Sequence, residues 1–164
     1  MVTADLPLAR AWAAASAVPD PEIPALTIKD LGILRDVRVD GGIAIARVTP
    51  TYSGCPAVLA IELAVAAALT GAGFDGRVER VLAPAWTTDW ITDEGREKLI
   101  AYGIAPPAKG AGNARSALFA DEIVACPRCR STDTALVSQF GSTPCKSLRR
   151  CVTCAEPFDH FKCL

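Results

Sequence analysis

Apolar and polar positions fall into runs of two periods along this chain. Residues 8–17 read as a short helix, with Asp5 available as a cap and Pro7 suited to a first turn. Residues 33–39 set Ile33, Val37 and Val39 against Arg35, Asp36 and Arg38, which predicts a half-buried strand of imperfect phase. Asp40-Gly41-Gly42 is a hairpin turn, with glycines where positive φ is needed, and 43–48 is the partner strand. Residues 57–70 are Ala- and Leu-rich and apolar almost all round, which predicts a largely buried helix ended by Gly71 and Gly73. A third strand is expected at 77–82, and a helix at 93–102 opened by Thr92 and closed by Gly103. The order α-β-β-α-β-α predicts a two-layer α/β sandwich whose third strand returns parallel through a right-handed crossover. This assigns residues 1–104 to a first domain, 105–122 with its prolines and glycines to a linker, and 123–164 to a second module.

Two stretches between these elements carry candidate chemistry. Val18-Pro19-Asp20-Pro21-Glu22-Ile23-Pro24 cannot be helical, because its prolines impose a stiff extended path. Its carboxylates, Asp20 and Glu22, read either as caps in a solvated loop or as the rim of a site. Thr49-Pro50-Thr51-Tyr52-Ser53-Gly54-Cys55-Pro56 leads into the long helix and places Cys55 near a helix N-terminus. The positive end of a helix dipole favours a thiolate. A lone cysteine is equally at home as a small packing residue, and position alone does not choose between the two.

The end of the chain is more specific. Six of the seven cysteines, Cys126, Cys129, Cys145, Cys151, Cys154 and Cys163, lie after residue 122. Cys126-Pro127-Arg128-Cys129 and Cys151-Val152-Thr153-Cys154 are two Cys-x-x-Cys turns separated by a hairpin-sized insert, the spacing of a four-thiolate metal site. Two thiolates on one tight turn face a single ion, and the second turn completes the tetrahedron. Such a donor set suits zinc, a single iron or an iron–sulfur cluster, with zinc favoured as the resting occupant. Cys145, Cys163 and His160 are spare candidate ligands. Zinc knuckles usually carry Gly after the second Cys, where left-handed backbone is cheap; here those positions hold Arg130 and Ala155.

Composition narrows the setting. The chain has 164 residues, 51% of them hydrophobic, and a net charge of −1, which argues against a nucleic-acid protein. The six basic residues after position 122 offset the net −2 of four thiolates around a divalent ion, and so need no nucleic acid. No targeting segment and no membrane span is expected. A cytoplasmic protein with reduced thiols follows, which excludes a disulfide framework.

Several of these residues carry a resemblance. Asp20-Pro21-Glu22-Ile23-Pro24, Asp30-Leu31-Gly32-Ile33 and Thr49 to Pro56, in this order, resemble the iron–sulfur-assembly domain shared by SufT-type proteins and eukaryotic cytosolic iron–sulfur targeting factors. Ser138-Gln139-Phe140-Gly141-Ser142-Thr143-Pro144-Cys145-Lys146, then Cys151-x-x-Cys154 and Glu156-Pro157-Phe158-Asp159-His160-Phe161-Lys162-Cys163, resemble the PaaD (PaaJ) family of the phenylacetate degradation pathway. The resemblance implies an α/β assembly domain joined to a zinc-ribbon-like β module. It implies a non-catalytic accessory role in maturing the phenylacetyl-CoA epoxidase, with the epoxidase components as partners, above all the iron–sulfur reductase, and a homodimer as a further option. It also makes Cys55 a functional thiol, with Asp20 and Glu22 as assisting carboxylates. Three other readings stay open: an electron-transfer or structural subunit with a rubredoxin-like iron or a cluster, a nucleic-acid-binding ribbon, and a thiol hydrolase on Cys55. The hydrolase would need a His base, and His160 is far away in sequence.

Overall fold

The structure, a computed structural model, describes residues 5–52, 54–110 and 123–162. The chain divides into two compact units, Met1–Trp86 and Thr87–Leu164.

The first unit contains helix α1 (Asp5–Ser16), strands β1 (Leu34–Asp40) and β2 (Ile43–Val48), helix α2 (Val58–Gly71) and strand β3 (Asp75–Arg80). β1 and β2 are the expected hairpin, and β3 returns parallel to β2 in a sheet of order β1-β2-β3. A bulge between Leu34 and Asp36 explains the poor phase of β1: Leu34 and Val37 are both buried although three residues apart. β2 alternates cleanly, burying Ala44, Ala46 and Val48. α1 packs on β1, α2 packs on β2 and β3, and the two helices touch each other, so they share one face of the sheet.

Helix α2 departs from expectation. Only Ile61, Val65 and Leu69 are buried, whereas Leu59 and Leu63 stand exposed. One layer of helix over a single sheet face covers one stripe of α2, so an all-round apolar sequence still leaves an apolar outer side. Glu62, the helix's one charged residue, receives a bidentate pair from Arg80 of β3, Nε to Oε1 at 2.7 Å and Nη2 to Oε2 at 2.9 Å. Close approach of α2 to β3 depends on Gly76, where a Cβ would lie 2.6 Å from the Ala66 carbonyl oxygen and 2.8 Å from Leu69 Cβ.

The loop from Val18 to Ile33 is not a solvated connection. Val18, Asp20, Ile23, Leu26, Ile28, Asp30 and Leu31 are all buried. The Asp20 and Ile28 N–H groups donate to the carbonyls of Leu26 and Val18, and the indole Nε1–H of buried Trp86 donates to the Leu31 carbonyl at 2.8 Å.

The second unit begins with a 3-10 turn (Thr88–Trp90) and helix α3 (Asp93–Ala101), followed by strands β4 (Ile104–Ala105), β5 (Thr134–Ser138), β6 (Lys146–Cys151) and β7 (Pro157–Phe161). Thr92 caps α3 as expected, its hydroxyl accepting the Gly95 N–H at 2.9 Å. The sheet runs β4-β7-β6-β5, antiparallel except where β4 lies parallel to β7. α3 therefore groups with the cysteine-rich strands, whereas the sequence pattern carries the first domain to residue 104. The start of the expected 105–122 linker is also packed: Ala105 is buried in β4, and the Pro107 carbonyl accepts a bond from the buried guanidinium of Arg96, which also donates to the Thr88 carbonyl at 2.9 Å. Residues 111–122 lie outside the described residues. Among the described residues, no helix is long and apolar enough to cross a membrane.

Candidate metal centre and the Cys55 loop

Each Cys-x-x-Cys segment folds into a knuckle. In the first, the Arg130 N–H donates to the Cys126 carbonyl at 2.9 Å and the Cys126 N–H to the Ser131 carbonyl at 2.8 Å. In the second, the Cys151 N–H donates to the Glu156 carbonyl at 2.9 Å, and the Cys154 N–H points at Cys151 Sγ at 3.5 Å. Arg130 (φ 66°) and Ala155 (φ 61°) take the left-handed conformation usually given to glycine. They are the only non-glycine residues with positive φ among those described, and each costs about 1–2 kcal/mol. The knuckles are cross-tied by Ser131 Oγ and Thr153 Oγ1 at 2.7 Å and by the Arg128–Glu156 ion pair at 2.5 Å.

Sγ atoms of Cys126, Cys129, Cys151 and Cys154 all lie within 4.8 Å of one another. Thiolates around a tetrahedral zinc at ~2.3 Å sit ~3.8 Å apart. Two pairs, Cys126–Cys154 at 3.8 Å and Cys129–Cys151 at 3.5 Å, match that spacing. The donor set therefore suits a tetrahedral ion such as zinc. Cys126 and Cys151 are buried, Cys154 is half-buried and Cys129 is exposed, so the site is sealed on one side and open on the other.

The electrostatics favour a cation. The Cys154 N–H, aided by the Cys129 thiol, overcomes desolvation and lowers the Cys151 pKa to about 7. Cys129 receives a stabilising bond from the Ser131 backbone, yet desolvation and the three neighbouring thiols outweigh it and push the pKa up to about 12. One thiolate forms readily in this cluster and another does not form near neutrality. A bound cation removes that conflict by stabilising all four anions together.

The spare candidates do not join this group. Cys145 is buried with its Sγ 3.0 Å from Thr143 Oγ1, and His160 is buried with Nδ1 3.4 Å from Ser147 Oγ. Neither belongs to a metal-sized cluster among the described residues. Cys163 lies outside those residues. Unanticipated from the sequence is a polar knot around Asp159. Buried Lys146 places Nζ 3.6 Å from Asp159 Oδ2, and Ser142 Oγ donates to the same oxygen at 2.6 Å. A Cβ on Gly141 would strike Asp159 Oδ1 at 2.4 Å. The opposite charges of Lys146 and Asp159 were the available signal.

In the first unit, the Cys55 N–H donates to the Tyr52 carbonyl at 3.2 Å, and its own carbonyl accepts from Val58 at 3.3 Å. The thiol is half-buried. α2 begins at Val58 with Ala57 as its N-cap, so Cys55 precedes the helix rather than sitting in its first turn. Two of the sequence motifs meet where the Thr49 N–H donates to the Ile33 carbonyl at 2.9 Å. Asp20 is buried, and its Oδ1 accepts the N–H groups of Glu22 at 2.9 Å and Ile23 at 2.7 Å, which folds the proline-rich loop onto itself. Glu22 is half-buried. Asp30 and Thr27 bond each other's backbone N–H reciprocally, at 2.9 and 3.1 Å.

Comparison with known proteins agrees with this architecture. Residues 8–83 match the family model for an iron–sulfur cluster assembly protein, and residues 111–162 match the model for the PaaD zinc beta ribbon domain. A Bacillus anthracis structure of the domain of unknown function DUF59 is similar at a TM-score of 0.50 and 24% identity, covering 59% of this chain and 94% of that one, which supports the fold alone. A protein of Escherichia coli (strain K12), provisionally named as a component of 1,2-phenylacetyl-CoA epoxidase, is 52% identical over 154 residues, 93% of this chain and 91% of its own. With an assembly-type α/β unit, a four-thiol ribbon and this identity over nearly its whole length, the chain belongs to the PaaD family.

Proposed function

We propose that this chain is a non-catalytic accessory protein of the phenylacetyl-CoA epoxidase system that matures its partner components, supplying iron or an iron–sulfur centre, with the iron–sulfur reductase as principal client. The observation that carries the reading is the half-exposed Cys55 thiol on a loop anchored at both ends by backbone hydrogen bonds, in the segment that matches iron–sulfur cluster assembly proteins. Cys55 takes up or passes on iron or a cluster intermediate as cargo. Glu22 serves as the assisting carboxylate, and Asp20 contributes by holding the loop that carries Glu22. In the ribbon, Cys126, Cys129, Cys151 and Cys154 hold a resident zinc that organises the module. When bound, zinc supplies structural cross-linking of four thiolates and no redox chemistry.

The test is epoxidase produced under limiting iron beside wild-type chain or beside Cys55→Ser. The variant should fold normally, because the change removes one soft ligand with little change in volume. Its epoxidase should be poor in iron or cluster and regain activity on chemical reconstitution. Fully active epoxidase beside the variant would make Cys55 a packing residue. Visible absorption tests the ribbon independently: a zinc-loaded module is colourless, whereas thiolate-bound iron absorbs and would favour an electron-transfer role.

A further inference from the structure

The edges of the two sheets are defended differently. Both edge strands of the first sheet are lined with charge: Arg35, Asp36, Arg38 and Asp40 on β1, and Asp75, Arg77, Glu79 and Arg80 on β3. Charged residues are a standard guard against edge-to-edge pairing. β5 is an edge of the second sheet, and the run Thr134-Ala135-Leu136-Val137-Ser138-Gln139-Phe140 holds no charge at all. Leu136, Val137 and Phe140 are 46%, 57% and 67% exposed. Among the described residues its guard is a bulge between Leu136 and Ser138.

Behind this edge lie two arginines. Arg149 and Arg150 of β6 are in register with Leu136 and Ala135 of β5, and as neighbours on a strand they face opposite sides of the sheet. Neither has an ion pair among the described residues, and Arg149 Nε is buried with no hydrogen-bond partner there. We propose that β5 is a docking edge, along which an extended segment of a partner protein, alternating acidic and apolar residues, adds as a further strand. Its backbone pairs with the outward N–H and C=O groups of β5, its carboxylates share one face and answer Arg150, and its apolar side chains share the other face and cover Leu136. A second copy of the chain fits worse, because β5 carries no acidic residue to answer the arginines. This surface does not depend on any role for Cys55.

The test uses the full chain, zinc-loaded and 15N-labelled, with the peptide acetyl-Glu-Val-Glu-Val-Glu-Val-Glu-amide and its Lys-for-Glu counterpart. The acidic peptide should slow amide exchange at residues 134–138, and the basic one should not. Binding should weaken about tenfold in Arg150→Glu and vanish in Val137→Lys. Both positions are exposed, and retained zinc content shows that the variants fold. The proposal is overturned if the acidic peptide leaves these amides unchanged, if both peptides bind alike, or if Val137→Lys binds as wild type does. It is also overturned if sedimentation shows a wild-type dimer that Val137→Lys dissolves, since the occupant is then a second copy.

Discussion

The two units solve the problem of a core in opposite ways. The first buries aliphatic side chains from every element but β3: Ala11 and Ala15 of α1, Val37 of β1, Val48 of β2, and Val65 and Leu69 of α2, with Ile23, Leu26 and Ile28 from the inward-folded loop. The ribbon's cluster is Ala105, Val124, Cys126, Cys151 and Phe158, with Cys154 packed against it, so half of its members are candidate ligands. An aliphatic core holds itself together by removal from water. A core of thiols has little apolar surface to remove and repels itself once ionised. The contrast teaches that the ribbon's stability resides in its metal and the first unit's does not.

The sharpest way to break the contrast is to take the metal away. Chelation, or Cys126→Ser with Cys151→Ser, should abolish amide protection across β5 to β7 while leaving α1, α2 and the β1-β2-β3 sheet protected. Metal content should fall from about one per chain to none. Hydrogen exchange read by mass spectrometry decides the point. Loss of protection in both units together, or a ribbon that survives with its cysteines removed, would show that the two cores are not separate in kind.

The reverse experiment perturbs only the aliphatic core. Gly76→Val forces a side chain into the Ala66 carbonyl and Leu69. Overpacking of this kind costs about 1–3 kcal/mol, and backbone on one side of the clash leaves little room to yield. The first unit should lose that much stability in denaturant, with the ribbon's zinc affinity unchanged. A matching loss of zinc affinity would mean that the units share a folding equilibrium.

What was legible in the sequence follows the same division. Knuckle spacing is local, so the four clustered thiols could be named from the chain alone. The hairpin and the parallel third strand were equally open, because Gly41-Gly42 and the crossover length leave few alternatives. Long-range facts were hidden. Nothing near α2 in sequence says that only one face is covered, so Leu59 and Leu63 read as core. The Asp20 carboxylate read either as a cap or as a rim group, and its capture by the N–H groups of Glu22 and Ile23 appears only when the proline-rich turn closes. The place of α3 with the ribbon rests on pairings such as Ala105 with His160, 55 residues apart in sequence.

The smallest expected effect lies in the knuckles themselves. Arg130 and Ala155 hold a backbone conformation that L side chains adopt at a cost. Glycine relieves that cost but adds disorder to the unfolded chain, so the net gain is about 1 kcal/mol or less. Ala155→Gly is the cleaner of the two changes, since it removes one methyl group and no charge. It should tighten zinc binding up to about fivefold in a chelator competition. Arg130→Gly relieves the same strain but deletes a cation next in sequence to Cys129, and should gain less or nothing. If the two substitutions gain equally, Arg130 contributes no charge compensation. If Ala155→Gly weakens binding, the left-handed turn is not where the ribbon stores strain, and the knuckle is better made by the side chains it already has.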